Sequence, residues 1–183
     1  TGNRTTYVYD VENHIESVTN AHGNTATYRY DESGNVIEVL DPLGTSTHYT
    51  YDANNNKTSV TSPSGQIVTF TYDGRGNKLT ETYEPEPGNL LTYSYTYNVF
   101  AQPTSVTKPL GDRVVYSYNT NGNLTRRQAQ DSSGKVFSVE TYTYDENGNR
   151  LTWQDANSKT STYGYNVFGD LTRETDPTGV TTL

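Results

Sequence analysis

The side chains here that could carry chemistry are three histidines, twenty-one carboxylates and seventeen tyrosines. His14, His22 and His48 lie in no pattern that supplies a serine nucleophile or a second metal ligand. His22 reads as a turn residue, His48 precedes a tyrosine, and His14 fills a slot that elsewhere holds Asn. All three are expected as exposed turn and strand residues. There is no cysteine, so thiol nucleophiles are excluded. Carboxylate pairs of the glycosidase kind stay open, because their separation is set by the fold and not by sequence spacing. The recurrent Asp-x-x-Gly-Asn segments invite comparison with calcium loops. Each offers about one carboxylate, whereas a calcium loop supplies several alternate oxygen ligands. The expected role of that Asp is a hydrogen bond to its own turn backbone. No catalytic, cofactor-binding or metal-binding residue is therefore assigned, no cofactor is expected, and the chain is not read as an enzyme.

Charge removes another class. The formal net charge is −8, and the thirteen basic residues are scattered singly except for Arg126-Arg127. A phosphate backbone needs clustered Lys and Arg. Tyrosines can stack on bases, but not productively without a basic groove. No nucleic-acid partner is expected.

The tyrosines remain, and they are periodic. Aromatic residues two apart recur as Tyr7/Tyr9, Tyr28/Tyr30, Tyr49/Tyr51, Phe70/Tyr72, Tyr95/Tyr97, Tyr116/Tyr118, Tyr142/Tyr144 and Tyr163/Tyr165. Five of the seven intervals are 21 residues, and the other two are 25 and 26. A fixed period of this size marks a repeat array, in which one unit is too small to fold alone but stacked units share a core. The reading is one array over 1–183 of about eight repeats, starting near Tyr7, Tyr28, Tyr49, Phe70, Tyr95, Tyr116, Tyr142 and Tyr163. In such an array a residue present once per repeat is expected to be structural.

Each repeat reads as two strands and two turns. Thr25–Tyr30 is β-branched and aromatic, and Tyr28 and Tyr30 share one strand face. Asp31–Gly34 suits a type I turn followed by a left-handed residue, where glycine avoids a Cβ clash. Asp41-Pro42-Leu43-Gly44 repeats that chemistry with proline presetting φ. Asn13 and Asn55 replace the first-turn glycine, and Asn tolerates positive φ. Ala101 also replaces it, and a strained or different turn is expected there. Ser158 is the departure at the second turn. The fold class is therefore all-β: an antiparallel hairpin meander of about sixteen short strands in one curved, spiralling sheet.

An odd period sets a geometric condition. Side chains alternate faces with period two, so identical turns would send successive tyrosine pairs to opposite faces. To share a face, the two turns of a repeat must differ by one residue, or a strand must carry a bulge. Shared, stacked tyrosines are expected, since aromatic pairs add about 0.5–1.5 kcal/mol beyond area burial. The two longer intervals lengthen both strands around one kind of turn, so hairpins near Pro85–Asn89 and Asp131–Lys135 should extend past the sheet margin.

Hydrophobic content is 31% and mean hydropathy −0.85, low for a globular core, but tyrosine supplies the missing area. Disorder is disfavoured by the same aromatics. No segment is long and apolar enough for a membrane-spanning helix, and no signal peptide is recognisable. The pattern is already running at Thr1 and stops just past a turn at Leu183, so a stretch of a longer array is expected. As an isolated piece it would expose two strand edges able to pair between copies.

Tyr-x-Tyr-Asp-x-x-Gly-Asn, an apolar strand and Asp-Pro-x-Gly together resemble the YD repeats of the Rhs family. That family includes bacterial polymorphic toxins, wall-associated proteins, shell components of insecticidal toxin complexes, and teneurins. Tyr28–Asn35, Phe70–Asn77 and Tyr142–Asn149 carry the likeness best, and Tyr95–Gln102 departs most. The resemblance implies a non-catalytic wall of a β-shell that encloses and carries a C-terminal toxin or effector domain, secreted or at a bacterial cell surface. Its partners would be that enclosed domain and flanking repeats. Asp176-Pro177-Thr178-Gly179 looks slightly like the self-cleavage junction of such shells, but Asp41–Gly44 has the same form, so both read as turns. The alternative is an extracellular adhesion module whose partner is a glycan or a cell-surface protein, because tyrosines give contact area at low entropic cost.

Overall fold

A computed structural model describes residues 4–182. Every element in them is a β-strand or a turn, and no helix occurs among the described residues. The chain divides into two compact units, 1–92 and 93–183.

The first unit holds β1 (Thr6–Asp10), β2 (Ile15–Thr19), β3 (Thr25–Tyr30), β4 (Val36–Leu40), β5 (Ser46–Tyr51), β6 (Lys57–Thr61), β7 (Ile67–Tyr72) and β8 (Lys78–Glu86). Each strand pairs antiparallel with the next in chain order. Strand β9 (Asn89–Tyr97) runs across the boundary. The second unit continues with β10 (Pro103–Thr107), β11 (Arg113–Tyr118), β12 (Leu124–Gln130), β13 (Val136–Tyr144), β14 (Arg150–Gln154), β15 (Thr160–Tyr165), β16 (Leu171–Thr175) and β17 (Thr181–Thr182). From Tyr93 onward the strands again pair consecutively and antiparallel. The all-β hairpin meander read from the sequence is the observed fold class. The described residues hold seventeen strands, one more than the expected sixteen, the last only two residues long.

The odd period is absorbed by a bulge. In β3–β4, Arg29 faces Glu38 but Tyr30 faces Val36, so Ile37 is the unpaired extra residue. Thr58, Leu79, Thr104, Thr125, Leu151 and Thr172 are extra in the same way, each beside the second aromatic of its repeat. The even interval of 26 residues needs a second correction, and Phe137 supplies it as an additional bulge between β12 and β13.

Directly opposed residues in an antiparallel ladder share a face, so the registers assign the faces. In the first unit, Tyr9 faces Glu16 and Glu16 faces Tyr28; Tyr28 faces Val39, Val39 faces Thr47, and Thr47 is in phase with Tyr49. The same walk through Val60 and Val68 reaches Phe70. All four aromatic pairs of that unit lie on one face. In the second unit, Tyr95, Tyr116, Tyr142 and Tyr163 share a face by the equivalent walk.

The opposite face is lined with hydroxyls. Thr71–Thr80 (2.6 Å), Thr96–Thr104 (2.7 Å) and Thr143–Thr152 (2.7 Å) bridge strands there. Such pairs contribute about 0.2–1 kcal/mol each. Among the described residues no large side chain is fully buried, and Ala129 is the one hydrophobic residue classed as buried. The core is therefore the half-buried aromatic face itself.

Hairpin β8–β9 extends past β7, which stops pairing at Tyr83. Hairpin β12–β13 extends past β14, which stops at Thr141, but its tip is not free: a Cβ on Gly111 would lie 2.8 Å from the Ser132 Cβ. That turn therefore packs against its neighbour and does not stand clear.

Candidate functional site

The second aromatic of a repeat reaches back to the repeat before it. Tyr51 donates to the Val36 carbonyl (2.9 Å), Tyr72 to Lys57 (2.7 Å) and Tyr118 to Pro103 (2.8 Å). Each acceptor is the residue just before a bulge, where the regular ladder is interrupted. A carbonyl left without a donor is costly where it is half-buried, as at Val36 and Lys57, so the tyrosine hydroxyl completes the preceding repeat. Burial raises the pKa of Tyr51, Tyr72 and Tyr118 above the usual 10.0.

The turns lock by one rule. The Asp31 carboxylate accepts from the Ser33 and Asn35 N–H groups and from the Asn35 amide. Asp52, Asp73 and Asp145 repeat all three bonds. These bonds hold each of these carboxyls below the usual 3.8, the largest contribution coming from the Asn side chain. Successive turns also touch: the Asn35 amide donates to Asn55 (2.9 Å) and Gln102 donates to the Gly122 carbonyl (2.7 Å). This is the Asx role expected of the Asp-x-x-Gly-Asn segments. Among the described residues no group of three His, Cys, Asp or Glu could hold a metal.

At the turns one sequence expectation is corrected, and at Ala101 the strained alternative is the one observed. The left-handed residue of the first turn is His14 (φ 53), not Asn13. Here the turn is four residues long, Val11–His14, between opposed Asp10 and Ile15, and β1–β2 carries no bulge. Ala101 (φ 61) keeps the ordinary turn, with Ala101 N–H on the Asn98 carbonyl at 3.1 Å. The Asn98 side chain holds it by accepting from the Phe100 and Gln102 N–H groups.

His22 is exposed in a turn and His48 is exposed on the hydroxyl face opposite Glu38 and Thr61. His14 is likewise exposed in a turn, and it lines a concavity of about 230 Å³ with Tyr9, Glu16 and Tyr30. Tyr30 donates to Glu16 at 2.7 Å, and its pKa is pushed up to about 12, chiefly by that bond. Tyr9 stands directly opposite Glu16 in the ladder, and its pKa is raised chiefly by its interaction with the Glu16 carboxylate. The sequence reading singled out neither Glu16 nor this concavity. The one signal was the substituted turn at Asn13-His14.

On the aromatic face, three basic residues cover rings. Lys57 Nζ lies 4.3 Å from the Tyr49 centroid, Lys78 Nζ 5.5 Å from Phe70, and Arg150 Cζ 4.4 Å from Tyr163. Two carboxylates on that face are paired with cations: Glu81 with Lys78, and Glu140 with Arg127 at 2.8 Å. Each also accepts a tyrosine hydroxyl, from Tyr83 and from Tyr142.

Residues 9–40, 30–67, 58–86 and 144–181 each match the RHS repeat. The chain belongs to the RHS repeat family. A search of curated proteins finds no match. Among solved structures, this RHS-repeat chain resembles TcdB2-TccC3 at 16% identity and a TM-score of 0.75, over 95% of this chain and 11% of that one. It resembles the TcdB2-TccC3-Cdc42 structure at 17% identity and a TM-score of 0.72, over 84% and 9%. The Tc holotoxin pore of Photorhabdus luminescens gives 14% identity and a TM-score of 0.67, over 93% and 12%. The chain thus spans about a tenth of the length of these proteins, and the likeness is one of fold.

Proposed function

We propose that this chain is a structural segment of a shell wall, one array of about eight repeats, enclosing a toxin or effector domain that follows it in the full protein. The observation that carries this reading is lateral completion. At three repeats a carbonyl beside the bulge is satisfied by a tyrosine of the next repeat, so the sheet is completed sideways from one repeat to the next. The likeness in fold to TcdB2-TccC3 and to the Tc holotoxin pore supports a wall segment of a toxin assembly. The wall itself is non-catalytic in this reading, and the protein acts outside the cell or at its surface.

The test uses the full-length protein. Limited proteolysis and single-particle electron microscopy should show a closed β-walled particle whose enclosed domain resists cleavage until the shell is opened. An open sheet with a freely cleaved downstream domain would overturn the proposal. Adhesion is a second reading, favoured by Phe100 and Phe168 exposed beside Asn98 and Asn166 at turn tips. Saturable binding on a glycan array, lost on replacing Phe168 by Ser, would favour it instead.

A further inference from the structure

We infer that the concavity between Tyr9 and Tyr30 is a binding site for a basic side chain, a guanidinium or primary ammonium group presented by a partner segment. The inference does not depend on the shell reading. It starts from a substitution of position, not of sequence. The place opposite the second aromatic of a repeat holds Val36, Lys57, Lys78, Pro103, Leu124, Arg150 or Leu171. In the first repeat the missing bulge brings Glu16 there and sends Ile15 to the other face. A carboxylate thus stands where three other repeats place a cation over an aromatic ring.

The chain shows what such a carboxylate takes. Glu81 and Glu140, on the same kind of face and each holding a tyrosine hydroxyl, are each paired with Lys or Arg. Glu16 accepts the Tyr30 hydroxyl in the same way but has no Lys or Arg partner among the described residues. The concavity around it is walled by two rings and lined by Asp10, Asp31 and Glu32 as well, with no Lys or Arg in the lining. Asp10 and Asp31 are committed to their own turns. That leaves Glu16 and Glu32 as the carboxylates of the lining not committed to a turn, with His14 and the two tyrosines as the other titratable groups there. A cation between Tyr9 and Tyr30 would meet a carboxylate and two tyrosine side chains together, the pairing that favours guanidinium and ammonium groups.

The test titrates the intact chain with a blocked arginine amide while following the Tyr9 and Tyr30 ring signals by NMR. The expected result is a saturable shift that an uncharged citrulline amide does not produce. Glu16→Gln, which keeps an acceptor for Tyr30, should weaken binding by about fivefold or more. Glu140→Gln, whose carboxylate already carries Arg127, should leave it within about twofold. Should Glu16→Gln lower the melting temperature, Tyr9→Leu serves as the second variant, with the same loss expected. No saturable shift, equal response to citrulline, or unchanged affinity in both variants would overturn the site. A linear diamine that binds more tightly than the arginine amide would overturn its assignment to a protein side chain.

Discussion

Hairpins β1–β2 and β5–β6 solve one problem in two ways. Both must absorb an odd residue so that aromatic pairs keep one face. In β5–β6 the residue is Thr58, unpaired in the strand, and the turn is the tight Asp52–Asn56 form. In β1–β2 it sits in the turn, which is four residues long with His14 left-handed, and the strands pair without interruption. The tyrosines end on the same face either way. What differs is the neighbour opposite the second tyrosine: Lys57 in one hairpin and Glu16 in the other. Moving one left-handed residue by one position inverts the charge of that place without changing the repeat's length.

The largest effect should come from breaking this parity outright. Deleting Thr58 removes a residue the ladder already leaves out, so Lys57 and Val60 keep their face. Deleting Val60 sends Val68, Phe70 and Tyr72 to the wrong side. Denaturant titration should show a loss of about 3 kcal/mol or more for the second deletion, in the range of severe core disruption, and markedly less for the first. Equal losses would mean that the bulges do not set the face.

A smaller effect separates interior from peripheral aromatics. Tyr118 is half-buried and donates to Pro103, whereas Tyr9 is 66% exposed. Tyr118→Ala should cost about 2 kcal/mol, below the 3–5 kcal/mol of a fully buried aromatic. Tyr9→Ala should cost less than half of that. Tyr118→Phe isolates the hydroxyl, worth about 1 kcal/mol.

Acid should distinguish turns built on Asp from turns built on Asn. The Asp31, Asp52, Asp73 and Asp145 carboxyls lie below 3.8 because folded-state hydrogen bonds favour the ionised form. A depressed folded pKa gives stability that is present above the unfolded value and lost as pH falls through the folded one. Circular dichroism should therefore show weakening below about pH 4. Asp73→Asn, which copies the Asn119 turn, should flatten part of that acid limb.

The legible part of this molecule was whatever its repetition over-determined. Eight aromatic pairs and paired Asp-to-Gly turns gave the strands, their order and the shared face. The odd period required a bulge or an unequal turn but could not choose between them, and the chain uses both. Asn13 looked like the left-handed residue because Asn tolerates positive φ. His14 takes that conformation in a four-residue turn that puts Glu16 opposite Tyr9 and within reach of the Tyr30 hydroxyl, a placement three strands wide that no local propensity contains. Ala101 looked unsuited to its turn. Its positive φ costs about 1–2 kcal/mol, offset by the Asn98 bonds and by the Gln102 bond to Gly122. The candidate site was illegible for the same reason: it arises from register, and register is decided between strands.

The smallest effect is also the sharpest test of the comparison. Asn13→Gly offers glycine at the position that Gly34 occupies in the second repeat, where φ is 82. The first hairpin should then adopt the tight turn and place a bulge at Glu16, the counterpart of Ile37. Ile15 would move onto the aromatic face, and its carbonyl would lie fifteen residues before Tyr30, as Val36 lies before Tyr51. Tyr30 would exchange its carboxylate partner for a carbonyl. In the present fold its pKa of about 12 stands above the unfolded 10.0, so it contributes stability that is present below pH 10 and lost as pH rises through about 12. The exchange removes the largest cause of that elevation. Tyrosinate absorbance should show Tyr30 ionising at lower pH in the variant, with global stability changed by less than about 1 kcal/mol. An unchanged Tyr30 titration would mean that the Tyr30–Glu16 hydrogen bond, and not the turn residue, holds the first repeat in its unbulged form.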